Sequence, residues 1–208
     1  FLDQAETARL LRACRSSANR WLYPVVVLAL TTGARKNEIL TLRWRHVDLT
    51  RRVVWFEQTK NGHPRTVPLS PQATAMLTEL ASEASQPDAL LFSSQRRPGQ
   101  PVAIQAAWET ALEDAEIKDF RFHDLRHTAA SNLAMRNQSQ LVIAEVLGHR
   151  TLEMVKRYAH LSKVHIAAAV SQLDCVLDAS DALAADEAAT NQPPTGHSPA
   201  GRQEDNMT

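Results

Sequence analysis

The sequence predicts a mainly helical α+β fold with one small antiparallel β-sheet. Three observations carry that prediction. Apolar residues recur at helical spacing through most of positions 1 to 177. The period changes once, in RRVVWFE and RTVPLS, two β-branched runs separated by TKNGHP with its Asn-Gly turn signal. Capping and stop residues stand between the helical runs, among them Gly33, Ser70-Pro71 and Gly148.

The elements follow in order. FLDQAETARLLRAC has Asp3 as N-cap and Glu6 three residues on, the spacing of a capping box, with Leu10 and Leu11 on its apolar face. WLYPVVVLALTTG reads as a buried helix ending at Gly33, and KNEILTLRW resumes as a short one. The two β-branched runs form a hairpin with Lys60 at its tip or shoulder. SPQATAMLTELASEA starts a helix with Ser70 as N-cap and Pro71 at the first helical position. ALLFSS is expected as a third strand. VAIQAAWETALEDAEI carries Ile104, Ala107, Trp108, Ala111 and Leu112 at helical spacing. HDLRHTAASNLAM sets Leu125, Ala129 and Leu133 on one face, and QLVIAEVLGH is a helix stopped by Gly148. TLEMVKRYAHL restarts with Thr151 as N-cap, and KVHIAAAVSQLDCVL is a last amphipathic helix. Residues 179–208 are acidic, polar and poor in large apolar side chains, and are expected to be a disordered tail after a domain at 1–178.

Composition narrows the function classes. The apolar fraction is 44 %, enough for a core, yet no run reaches the eighteen apolar residues of a membrane span. The two cysteines, Cys14 and Cys175, make neither a disulfide framework nor a metal spacing, which suits a reducing cytoplasm. Net charge is zero, but it is divided: residues 1–163 hold 22 Lys+Arg against 16 Asp+Glu, and residues 164–208 hold 1 against 7. A basic body with an acidic tail fits a polyanionic partner. The chain opens on Phe rather than Met, so a fragment of a longer protein is expected.

Several polar residues are more than the helices need. Arg35 follows the helix-ending Gly33 and stands at the start of the next helix, a place that suits an anion; it could equally be a surface arginine paired with Glu38. His123 and Arg126 are three apart and share a helix face, so both could reach one phosphate, or both could be ordinary polar residues of a helix start. His127 reads as a packing residue or as a support for the residues that reach the phosphate. Lys60 on a turn is uninformative alone. His149 and Tyr158 are nine residues apart, which on one continuous helix would set them on opposite sides, but the break at Gly148 removes that objection. Tyr158, one of only two tyrosines, shares a stripe with Met154 and Leu161 and could be core or nucleophile.

The order Arg35, Lys60, His123-x-x-Arg126, Gly148-His149, Tyr158 resembles the tyrosine recombinase (phage integrase) family. The matching stretches are TGARKNEILTLRWRHVD, TKNGHPRTVPLS, HDLRHTAAS and LGHRTLEMVKRYAHL, spread over residues 1 to 165. The resemblance implies the tyrosine recombinase catalytic fold. It also implies site-specific cleavage and rejoining of double-stranded DNA through a 3′-phosphotyrosine intermediate, without cofactor or metal. Arg35, Arg126 and His149 would hold the phosphate, Tyr158 would attack, His123 would be the base and Lys60 the general acid. The family further implies a homotetramer on recombination sites, no membrane, and a cytoplasmic, nucleoid-associated location.

Two features depart from the family pattern. The separate N-terminal DNA-binding domain is absent from this chain, and the acidic tail matches no family motif. The helix near 163 to 177 could dock on a neighbouring protomer or on its own core. Rival readings are a type IB topoisomerase-like enzyme, a catalytically silent DNA-binding relative and a plain helical interaction protein. The last leaves the shared register of Arg, Lys, His and Tyr unexplained.

Overall fold

The computed structural model describes residues 1–57, 64–81, 86–149 and 151–158. The expected hairpin tip with Lys60, the last helix near 163 to 177 and the acidic tail lie outside the described residues.

Helix α1 (Gln4–Ser16) begins as its sequence directs. The Asp3 carboxylate accepts from the Glu6 backbone at 2.7 Å, and the Asp3 backbone donates to the Glu6 carboxylate at 2.9 Å. Helix α2 (Leu22–Thr32) is buried along nearly its whole length, with Val25, Val26, Leu28 and Ala29 at the centre of the fold. Its Pro24 sits in the first turn, where a missing N–H breaks no intrahelical bond. Gly33 ends α2 in the left-handed region, φ 61°. A Cβ there would lie 2.2 Å from Leu147 Cδ2, so this glycine serves both the turn and a close approach of α2 to the later helices.

Helix α3 (Lys36–Leu40) is short, and a single 3-10 turn at Trp44–His46 follows instead of continued α-helix. The sheet is β1 (Val47–Asp48), β2 (Val53–Phe56) and β3 (Arg65–Pro68), antiparallel in that order. Val54 pairs with Val47 on one side and Val67 on the other, and alternation turns Val54 and Phe56 inward and Trp55 outward. The expected third strand at ALLFSS is a correction. That segment makes only isolated bridges, Arg43 with Leu90 and Ser93 with Pro101, because Leu91 and Phe92 are both drawn into the core and the alternation of a strand is lost.

Helix α4 (Pro71–Ala81) starts on Ser70, whose hydroxyl accepts from the Ala73 backbone at 3.2 Å. Helix α5 (Gln105–Asp114) buries Trp108 and Ala111. Helix α6 (Asp124–Met135) packs along α2, and α7 (Gln140–Leu147) packs on α6. Gly148 closes α7 in the left-handed region, and the His149 N–H returns to the Ala144 carbonyl at 2.8 Å. Helix α8 is only Glu153–Lys156, with Leu152 rather than Thr151 at its N-cap, and Tyr158 lies just past its end. Met154 is therefore exposed, while Val155 and Tyr158 turn inward. No helix among the described residues is long and apolar enough to cross a membrane.

Candidate active site

The site is built where the end of α2, the start of α3, β3, α6 and the α7–α8 turn meet. Arg35 caps α3 and binds Glu38 one turn on: its Nη1 donates to Oε1 at 2.8 Å and its backbone N–H to Oε2 at 3.0 Å. The pairing that could have been a surface feature is buried, with the Glu38 side chain 4 % exposed. Arg65, from β3, reaches the other oxygen of the same carboxylate at 2.8 Å, while its guanidinium lies 4.6 Å over the Phe56 ring. Burial alone would raise the Glu38 pKa, but the hydrogen bonds and charge of Arg65 and the backbone of Arg35 outweigh it and leave the carboxyl below its ordinary value.

Arg126 rises from α6 as one of its buried residues. Its Nη1 donates to the Gly33 carbonyl at 2.7 Å, which aims the fork at the end of α2. Its pKa is lowered to about 10 by burial and by the charges of Arg35 and Arg65, so it stays protonated at neutral pH. Gly148 lies directly on the Arg65 side chain: a Cβ at position 148 would stand 2.7 Å from Arg65 Cδ. This contact and the α7 cap hold His149 toward the arginines. Burial first, then the charges of Arg126, Arg35 and Arg157, lower the His149 pKa to about 4, and its ring is neutral at pH 7.

Among the described residues, Arg35 and Arg65 share one carboxylate, Glu38, and Arg126 stands close enough to feel all three charges. Arg65 Nε and Nη1, Arg126 Nη2 and His149 Nδ1 are buried and find no hydrogen-bond partner among the described residues. Buried polar groups are ordinarily paired, so this concentration of donors is a demand for an anion.

Tyr158 stands beside this cluster, 6 % exposed among Ala130, Ala134, Leu147 and Val155. Burial raises its pKa, partly offset by Arg157 and Arg126, so the hydroxyl holds its proton at rest. The ring packs as a core residue would, and its hydroxyl oxygen is turned toward α6. That oxygen lies 2.6 Å from His127 Nδ1. His123, exposed at the start of α6, presents its ring edge-on to His127 with centroids 5.4 Å apart.

Arg35, Arg126, His149 and Tyr158 thus come together, with His123 on the rim. Lys60 lies outside the described residues. Glu38, Arg65 and His127 are the participants that local reading missed. The Glu38 spacing was visible three residues after Arg35, but its burial was not. Arg65 looked like a strand residue, and His127 like a packing or supporting one.

The fold is that of a phage integrase catalytic domain. The chain belongs to the Phage integrase family, whose pattern matches residues 1–165. It is 35 % identical to the integrase of Salmonella phage P22 over 191 residues, covering 86 % of this chain and 48 % of that protein. It is 37 % identical to a shufflon-specific DNA recombinase of Escherichia coli over 174 residues, 83 % of this chain and 42 % of that protein. Among solved structures, the catalytic domain of bacteriophage HP1 integrase superposes with a TM-score of 0.65 at 33 % identity, covering 82 % of this chain and 93 % of that one. The chain spans about half the length of the curated relatives it matches.

Proposed function

We propose that this chain is the catalytic part of a site-specific DNA recombinase that cuts and rejoins duplex DNA through a covalent 3′-phosphotyrosyl link at Tyr158. The observation that carries this reading is the cluster of unpartnered buried donors on Arg65, Arg126 and His149, with a tyrosine hydroxyl at its edge. A phosphodiester supplies the missing anion. Arg35 and Arg126 hold its non-bridging oxygens with charged forks that match phosphate geometry. His149, neutral, donates one further hydrogen bond as charge builds on those oxygens. His123, at the rim one helical turn from Arg126, adds a contact from the solvent side. Tyr158 attacks phosphorus, and the 5′-oxygen leaves with a proton from Lys60. The phosphotyrosyl bond conserves the energy of the broken bond, so the reverse attack reseals the strand without ATP.

Exchange between two duplexes requires four strand cuts. Each chain carries one Tyr158, so the recombining assembly contains four copies on DNA and acts at the nucleoid. The names of the relatives, integrases and a DNA recombinase, agree with duplex DNA as the partner.

The test uses a library of nicked duplexes with a randomised core, in which the cut strand loses the short fragment that bears the new 5′-hydroxyl and cannot be resealed. The expected outcome is an SDS-resistant protein–DNA adduct, formed equally in EDTA because guanidinium groups supply the positive charge, and absent in Tyr158→Phe. Adduct that persists in Tyr158→Phe, or that EDTA abolishes and Mg²⁺ restores, refutes the mechanism. Sequencing the captured strands yields the preferred core.

A further inference from the structure

The reaction needs a group that takes the tyrosine proton, and the geometry points to His127 as that acceptor. This inference rests on the recombinase reading above. Tyr158 Oη lies 2.6 Å from His127 Nδ1, a hydrogen bond made before any DNA is bound. The tyrosine is 6 % exposed, which leaves bulk water little access to the hydroxyl. His127 also sits next in sequence to Arg126, so one helix carries both a phosphate fork and the ring that meets the nucleophile. Phosphate capture and proton acceptance are thereby held in fixed register.

The charged surroundings suit the role. Near the His127 ring are His123 and Asp124 on its own helix and Arg157 and Tyr158 beyond α8. Burial first, then His123 and Arg157, hold the imidazole below its ordinary pKa, with Asp124 opposing. A ring that is neutral at pH 7, and a phenol that burial keeps protonated, meet as acceptor and donor. With its own proton on Nε2, His127 has the Nδ1 lone pair facing Tyr158.

The step balances. The proton passes from Tyr158 Oη to His127 Nδ1 while the phenolic oxygen forms its bond to phosphorus. The P–O5′ bond breaks, its electron pair stays on the 5′-oxygen, and Lys60 supplies the proton that completes the hydroxyl. On rejoining, the 5′-hydroxyl attacks, Lys60 regains a proton, and the released Tyr158 oxygen takes its proton back from His127.

The experiment measures single-turnover adduct formation by the 208-residue chain, from about pH 5 to 9, on duplexes selected from the library. His127→Asn keeps a carbonyl near the position of Nδ1 but cannot carry a proton away. It is expected to slow adduct formation by about 10²-fold or more, to remove the imidazole limb at acid pH, and to leave DNA binding unchanged. A substrate with sulfur at the bridging 5′ position should rescue Lys60→Ala, because a thiolate leaves unprotonated, and should not rescue His127→Asn. In the wild-type protein the ¹⁵N resonance of His127 Nδ1 should be that of an unprotonated, hydrogen-bonded acceptor that moves in Tyr158→Phe. This measurement does not depend on any His127 variant folding.

A wild-type rate and acid limb in His127→Asn overturn the assignment. So does loss of that limb in His123→Asn alone. A faster reaction in His127→Asn also overturns it, because the contact then parks the hydroxyl rather than activating it. If wild type forms no adduct on any duplex, the recombinase reading falls and takes this inference with it. Normal wild-type adduct with an unaffected His127 variant removes this inference only.

Discussion

Among the described residues, two apolar clusters support the two sides of the site, and they differ in size and composition. The larger holds 28 buried residues, including Leu28, Ile39, Phe56, Val67 and Leu125, and it carries Arg35, Glu38 and Arg65 on its edge. The smaller holds seven, Ala130, Ala134, Ile143, Ala144, Leu147, Val155 and Tyr158, of which three are alanines. Arg126 stands between them on α6, flanked by Leu125 of the larger cluster and four residues before Ala130 of the smaller. The groups that would hold the phosphate therefore rest on a deep core. The residue that would attack rests, among the described residues, on a smaller one with less apolar area. Phosphate binding benefits from donors that do not move as charge develops. A nucleophile that must meet different DNA ends during exchange benefits from a support that opens at lower cost.

The largest effect that tests this contrast falls on the rigid side. Glu38→Ala leaves Arg35 and Arg65 as like charges without their shared carboxylate. Breaking a buried pair in this way costs about 3–5 kcal/mol, to be read as a fall in the urea midpoint. The sign with pH is fixed by the lowered Glu38 pKa. Its contribution is present above the ordinary carboxylate value of about 4.3, and is lost as pH falls through the lower folded value. A Glu38→Ala protein as stable as wild type would mean that the arginines are not locked by that carboxylate.

A paired substitution sharpens the comparison. Leu28→Ala in the larger cluster and Ile143→Ala in the smaller each remove buried apolar volume, at about 2–5 kcal/mol. Leu28→Ala should lower amide protection across all helices. Ile143→Ala should lower it chiefly in α7 and α8, and should reduce adduct formation more than DNA binding. Uniform loss of protection in both variants would show that the two clusters open as one unit.

The smallest effect is the pH dependence of His149. Its folded pKa of about 4 lies below the ordinary histidine value of about 6.5. Between those values the unfolded chain takes up a proton that the folded site refuses, so stability present above pH 6.5 declines as pH falls toward 4. His127 adds to the same slope, while Glu38 contributes only below about pH 4.3. The measured quantity is therefore the difference between wild type and His149→Gln, and the variant should show the shallower decline. Equal slopes would mean that His149 is not held neutral by burial and the arginines.

What the sequence determined by itself is local. The Asp3–Glu6 capping box, the stops at Gly33 and Gly148, the Ser70-Pro71 start and the paired strands β2 and β3 are decided by residues a few positions apart. The same is true of the six polar positions, whose order and spacing are written along the chain. What only the tertiary structure decided involves residues far apart. Val47–Asp48 joins the sheet where ALLFSS does not, because β2 offers its free edge to the segment just before it while the core takes Leu91 and Phe92. Glu38 becomes a buried hub because Arg65 arrives from 27 positions away. His127 meets Tyr158 across 31 positions because α8 ends early and turns the ring back onto α6. A cap or a turn depends on backbone groups within one helical turn. Burial, pairing and shifted proton affinity depend on which distant elements pack together, and no local spacing encodes that.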